Sequence, residues 1–299
     1  MMRLGRCLVH ADGRADLHDS EESGEILWQN MDDLEDFQLE QLERAVAIED
    51  DFLPDADALF AKNPWHMKHR STLIEWIFAQ RNSLGVQHQT ALLAINYLDR
   101  VLAKMETSAK HAVIITQTCL YIACKFHEGD LYALEDLMTL WSDGDFEKML
   151  KFEILILKAL GWRLNCSTMH TFALLLHTGL TPGPDTEWNQ IAEGLQIKAS
   201  LQMLFIGVKP SVLGAAIFNT SMKSISSSSN RKRLHGTSNC MMRKAQIDTS
   251  AVSYTESIIR TLKKRCKIIE DDREMNGNST ALKSTGCLMD TTTAVFEKM

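Results

Sequence analysis

QTALLAINYLDRVLA (residues 89–103) is apolar on nearly every side of a 3.6-residue period. A helix with so little solvent face belongs at the centre of a helical bundle. The segments around it share that period. HRSTLIEWIFAQR (69–81) places Leu73, Trp76 and Ile77 on one face, and KHAVIITQTCLYIACKF (110–126) is almost as enclosed as 89–103. LYALEDLMTLW (131–141) reads as a short fourth helix. FEKMLKFEILILKAL (146–160) reads as a fifth, with Ser142 or Asp143 as N-cap and Gly161 as the stop. β-Branched residues sit inside these patterns and no hairpin turns appear. Residues 67–164 therefore predict a compact five-helix bundle, and the fold class is all-α.

A second helical block follows over 165–269, less well specified than the first. TMHTFALLLHTGL (168–180), WNQIAEGLQIKASLQMLFIG (188–207) and PSVLGAAIFNTSMKS (210–224) are helical, with TPGP (181–184) as a break and Pro210 at a helix start. Residues 224–245 turn polar and Ser-rich and predict a flexible insertion. AVSYTESIIRTLKKRCKI (251–268) returns to helix, and 270–299 reads as a flexible tail. Before the first bundle, 34–66 predicts an N-terminal helix, LEDFQLEQLERAVAI (34–48), and a connector bracketed by Pro54 and Pro64. Residues 1–33 read as an acidic, disordered arm.

The totals exclude several classes. Of the 299 residues, 45% are apolar and 24% charged, ordinary values for a globular protein. No apolar run approaches the ~18 residues needed to cross a bilayer. Seven cysteines lie at 7, 119, 124, 166, 240, 266 and 287, without a CxxC pair. Neither a zinc ribbon nor a disulfide framework is indicated, and a reduced, intracellular protein is expected. There is no phosphate-binding loop of the GxxxxGK[ST] type and no nucleophile–base set. His170 and His177 with Cys166 lack a fourth ligand, so no metal or cofactor is expected. The net charge of −7 hides an asymmetry. Residues 15–57 carry sixteen acids against Arg44, and 222–267 carry eleven bases against Asp248 and Glu256.

Charges on apolar faces are the informative exceptions. Asp99, inside the most enclosed helix, needs a partner, and Arg70 on the preceding helix is the best candidate for a bridge that fixes helix docking. Glu153 falls within the stripe Phe146, Met149, Leu150, Ile154, Leu157 and Leu160. Lys125 closes the buried helix in the run Lys125, Phe126, His127, Glu128. Either Lys125 and Glu153 satisfy each other, or Lys125 merely reaches water, or both are shown to a partner.

The strings HRSTLIEWI (69–77), LAINYLDRVL (93–102), LYIACKFHE (120–128) and FEILILKALGWRL (152–164) together resemble a cyclin box. NCSTMHTFALLL (165–176) and KPSVLGAAIF (209–218) are similar to the opening and third helices of a second cyclin fold. NYLDR, LGWRLN and the segment AVAIEDDFLPDADALFAK (45–62) are most similar to D-type, or G1, cyclins. The resemblance implies two tandem five-helix cyclin folds. It also implies a non-catalytic regulatory subunit that forms a heterodimer with a cyclin-dependent protein kinase and activates it in cell-cycle control. By the same resemblance Lys125, Glu153 and Phe126 contact the kinase, while Arg70 and Asp99 form an internal bridge.

Two departures stand out. The start of the first box helix reads His69-Arg70-Ser71-Thr72-Leu73, polar where many cyclins are apolar, which leaves Leu73 and Trp76 as a reduced docking groove for substrates or inhibitors. No Leu-x-Cys-x-Glu motif is present. Ser226 to Ser229 offer phosphorylation sites, and NRKR (230–233) and KKRCK (263–267) read first as solvated charge and second as nuclear-localisation patches; a nuclear or cytoplasmic location, or both, is expected. No direct nucleic-acid or membrane partner is expected. The rival readings are a cyclin of a transcriptional kinase, and a cyclin-fold transcription or scaffold protein with no kinase.

Overall fold

The computed structural model describes residues 36–128, 146–181, 185–225 and 228–275, except for the side chains of 146, 228–234 and 265–275. The acidic arm, the expected fourth helix at 131–141, the caps Ser142 and Asp143, and the tail beyond 275 lie outside the described residues. Among the described residues every regular element is a helix. In chain order these are α1 (36–49), α2 (Ala56–Lys62), α3 (His66–Leu84), α4 (His88–Lys104), α5 (Ala112–His127) and α6 (Phe146–Leu160). They continue with α7 (Met169–Leu180), α8 (Thr186–Ser200), α9 (Pro210–Ile225), α10 (Ser228–Lys244) and α11 (Thr249–Met275).

The ends follow local chemistry. Asp55 caps α2 by accepting from the Ala58 N–H, and Asp185 caps α8 by accepting from Trp188. Thr168 and Thr171 form a reciprocal capping box on α7. Gly85 closes α3 in the left-handed region at φ 67°. At the end of α6, Gly161 (φ 64°) begins a Schellman turn whose six-to-one bond runs from Trp162 N to Leu157 O, 2.9 Å. Trp162 follows at φ 59°, an uncommon conformation for a bulky residue.

Two hydrophobic cores define two tandem lobes. The first gathers α3, α4, α5 and α6 around Leu73, Ile77, Leu93, Leu98 and Leu120. α4 is the enclosed centre and packs on α2, α3, α5 and α6. The second is built on α9, which packs against α7, α8, α10 and α11. α1 joins the second core through Leu42 and Ala45, while Phe52 and Leu59 just downstream belong to the first. The N-terminal helix thus docks on the distant lobe, and the chain then crosses back. Glu49 anchors the crossing, accepting hydrogen bonds from Ser211 N (3.0 Å) and Ser211 Oγ (2.9 Å) at the start of α9.

Four expectations need correction. The stretch 224–245 is not a flexible insertion: 228–244 is helix, with Ser238, Met241 and Met242 buried against the second core. Average polarity concealed one apolar edge, which is enough to dock a helix. The connector contains α2, held by fully buried Leu59. α11 runs to Met275, past the expected boundary at 269. The helix expected over 188–207 ends at Ser200, because a single-turn 3-10 segment, Met203–Phe205, carries the chain toward α9.

Candidate functional site

α5 and α6 lie side by side in the first lobe and bring Lys125 and Glu153 together. Lys125 Nζ donates to Glu153 Oε1 at 2.7 Å and stands 4.9 Å from the centroid of the Tyr121 ring. The Lys125 side chain is 51% exposed and that of Glu153 12%, so the pair sits at the surface with the carboxylate recessed. Burial pulls the Lys125 ammonium down, yet the hydrogen bond and charge of Glu153, with help from Tyr121, outweigh it and leave Lys125 above its ordinary pKa.

The rest of the opening run divides by direction. Phe126 is 44% exposed. Glu128 turns inward, accepting from Gln87 N at 2.8 Å and from the Thr90 hydroxyl. It therefore satisfies donors at the start of α4, a role sequence reasoning missed because the partners lie some forty residues away.

α6 differs from its expected stripe. Its core face is Met149, Ile156 and Leu160, with Glu153 at the edge. Leu150 and Ile154, members of the apolar stripe read from the sequence, are exposed together with Leu155. α6 is apolar on two sides and only one faces the core. Exposed Phe126, Leu150 and Ile154 accompany the Lys125–Glu153 pair on these two helices, and Trp162, 67% exposed, follows α6. Neighbouring apolar side chains left in water are what a partner surface requires.

Arg70 and Asp99 are buried and meet as a bidentate bridge, Nε to Oδ1 at 3.1 Å and Nη2 to Oδ2 at 2.8 Å. Arg70 Nη1 also donates to Ser200 O of the second lobe at 2.6 Å. His66 Nε2 stands 3.8 Å from Asp99 Oδ1. Burial pushes the His66 pKa down to about 4, against the pull of Asp99. Arg100, beside Asp99 in sequence, donates to Arg163 O at 3.1 Å and Leu160 O at 3.4 Å, closing the end of α6. Its role was also not read from the sequence.

Leu73 and Trp76 do not line a groove. Leu73 is fully buried and Trp76 nearly so, because their face of α3 is the one that packs on α4 and α5. Cys166, His170 and His177 are spread apart: Cys166 donates to Asn96 Oδ1, His170 Nδ1 lies 3.2 Å from Gln196 Oε1, and His177 stacks on Trp188 at 3.9 Å.

The molecule is an all-helical protein of two lobes in tandem, the first carrying a recessed ion pair and exposed apolar side chains. The family "Cyclin, N-terminal domain" matches residues 40–165. The chain is 29% identical over 151 residues to G2/mitotic-specific cyclin-2 of Antirrhinum majus, covering 50% of this chain and 34% of that protein. It is 28% identical over 158 residues to S-phase entry cyclin-6 of Saccharomyces cerevisiae, covering 52% and 41%. It is 30% identical over 134 residues to cyclin-D of Ostreococcus tauri, covering 42% and 36%. The chain thus spans about a third to two fifths of the length of these relatives. In fold it is similar to a viral cyclin from herpesvirus saimiri, with a TM-score of 0.54 at 18% identity, covering 74% of this chain and 97% of that one. Residues 40–165 of the chain thus carry the match to the cyclin N-terminal domain, and the fold as a whole is similar to that of a cyclin.

Proposed function

We propose that this protein is the regulatory subunit of a cyclin-dependent protein kinase, binding the kinase through α5 and α6 and activating it. The observation that carries the reading is the Lys125–Glu153 pair, accompanied by exposed Phe126, Leu150 and Ile154. A protein kinase is active when a lysine–glutamate pair joins its strand to its regulatory helix, which requires that helix to be docked. A preformed surface that binds only the docked state shifts the population toward it. Lys125 and Glu153, already held in place by each other, offer both signs of charge to that helix. Phe126, Leu150 and Ile154 supply the apolar anchors.

Within this role we place the protein in G1-type control of cell division, on the wording NYLDR and LGWRLN. The relatives include mitotic, S-phase and D-type cyclins, so the identity of the captured kinase decides this finer assignment.

The test is capture of kinase from proliferating-cell extract followed by a phosphorylation assay, with wild type beside the Lys125→Glu, Glu153→Lys double variant. The exchange keeps an internal ion pair and reverses the charges shown to a partner, so fold is preserved while docking is not. Wild type is expected to capture an active kinase, and the folded variant to lose at least about tenfold of that activity. A folded double variant that activates as well as wild type removes this surface from the mechanism.

A further inference from the structure

A polar pocket of about 390 Å³ opens on the second lobe between α9, α10 and the first turns of α11. It has no part in the surface proposed above. One wall is a single face of α10, where His235, Asn239 and Arg243 follow one another at intervals of four. The opposite wall is the start of α11, with Thr249, Ser250 and Ser253. Among the described residues no carboxylate lines the pocket.

Its polar groups are short of partners in a consistent way. Asn219, on α9 at the inner side, is only 5% exposed, and its amide makes no hydrogen bond within the described residues. Its amide opens onto the pocket, where a ligand or a water can meet it. Arg243 makes one hydrogen bond, from Nε to Asn239 O at 3.2 Å, and no ion pair among the described residues. By contrast Lys223 and Arg260 of the same lobe both pair with Glu256. The remaining Arg243 donors are free. His235 Nδ1 lies 3.0 Å from Asn239 Nδ2. With the amide donating there, the ring proton sits on Nε2 and makes that atom a donor.

The partial positive charge at the N-terminal end of α11 is offset by its cap, Asp248. The Asp248 carboxylate is engaged by Ser250 N (2.8 Å) and Ala251 N (3.0 Å) and does not line the pocket. The basic run Asn230 to Arg233 occupies the turn of α10 just before His235.

A guanidinium, an imidazole N–H, amide N–H groups and hydroxyls converging on a site without acids select an oxyanion. The volume, at the lower end of the range for ligand sites, exceeds what a lone phosphate needs and leaves space for neighbouring peptide atoms. We infer that this pocket binds the phosphate monoester of a phosphorylated serine or threonine carried by a partner polypeptide. Arg243 forms the charged contact, Asn219 the buried polar one, and Ser250 with His235 complete the donor set.

Titration calorimetry on the full chain tests this with three probes. They are a short glycine–alanine peptide carrying one phosphoserine, its unphosphorylated twin, and inorganic phosphate. The phosphopeptide is expected to bind, the twin not to bind, and phosphate alone to bind more weakly. Arg243→Glu is expected to weaken the phosphopeptide at least about tenfold by removing a charge-assisted contact. Asn219→Leu, close in volume, is expected to weaken it severalfold. Thermal unfolding accompanies each variant, and Arg243→Gln with Ser250→Ala, both at exposed positions, serve if either fails to fold. Equal binding of the two peptides, or wild-type binding by folded Arg243→Glu, overturns the proposal. Phosphate binding as tightly as the phosphopeptide overturns the polypeptide ligand in favour of a free anion.

Discussion

Asp99 holds its place in an enclosed helix only because Arg70 meets it with two hydrogen bonds. Asp99→Asn leaves a buried guanidinium without its counter-charge. A loss of about 3–5 kcal/mol is expected, read as a lowered midpoint in urea denaturation. A loss below about 1 kcal/mol would mean that water or Ser200 O suffices to hold Arg70. This residue was legible in the sequence because a carboxylate among apolar neighbours demands a partner, and few cations lay within reach. Glu153 was legible as an anomaly, but its surroundings were misjudged. An apolar count around α6 cannot tell a core face from an uncovered one, so the exposure of Leu150 and Ile154 was not legible. Glu49, Arg100 and Glu128 were not legible at all. Their partners Ser211, Leu160 and Gln87 are 162, 60 and 41 residues distant, and nothing local marks the contact.

At the scale of elements, α9 is the helix with the least freedom to shift. A Cβ added at Gly214 would fall 2.5 Å from Phe172 Cβ and 2.7 Å from Met169 O, so the two helices approach through the missing side chain. Gly214→Ala must push α7 and α9 apart. The strain is expected to exceed the small gain in helix propensity and to cost about 1–3 kcal/mol. Differential scanning calorimetry reads this as a lower Tm, and an unchanged or raised Tm would mean that α7 yields without cost. The enclosed helices α4 and α5 were readable because their period is unmistakable. α10 was not, since a helix whose buried side chains, among those described, are Ser238, Met241 and Met242 carries too little apolar signal above its Ser- and Arg-rich remainder. α2 was missed because seven residues between two prolines look like a connector until Leu59 is seen in the core.

For the molecule as a whole, burial sets the response to acid. His66 and His88 lie inside the fold with their pKa values pushed down to about 4 and about 3, and His170 and His177 are lowered as well by burial. The unfolded chain takes up protons on these rings from pH 6.5 downward while the folded chain does not. Stability is therefore fully present above about pH 6.5 and falls as pH drops toward 3–4, by up to about 1.4 kcal/mol per pH unit for each ring. Glu49 and Glu75, held above the ordinary carboxylate value by burial, work the other way as pH falls and soften the slope. Urea denaturation at pH 7.5, 6 and 5 is expected to show a steady decline, and a flat profile would mean that the rings already find proton-accepting partners. The tandem arrangement was readable as two blocks of helix, but the attachment of α1 to the far lobe was not, because Leu42 and Ala45 carry no mark of which core they enter. The third hydrogen bond of Arg70 reaches across that arrangement to Ser200, and Arg81, three turns further along α3, pairs with Glu193 of α8. The first lobe is accordingly not a portable module. Cut out at residue 164, it would keep the Arg70–Asp99 bridge but lose the Ser200 acceptor of Arg70 and the carboxylate partner of Arg81, and its helices would be measured without the half of the molecule that completes them.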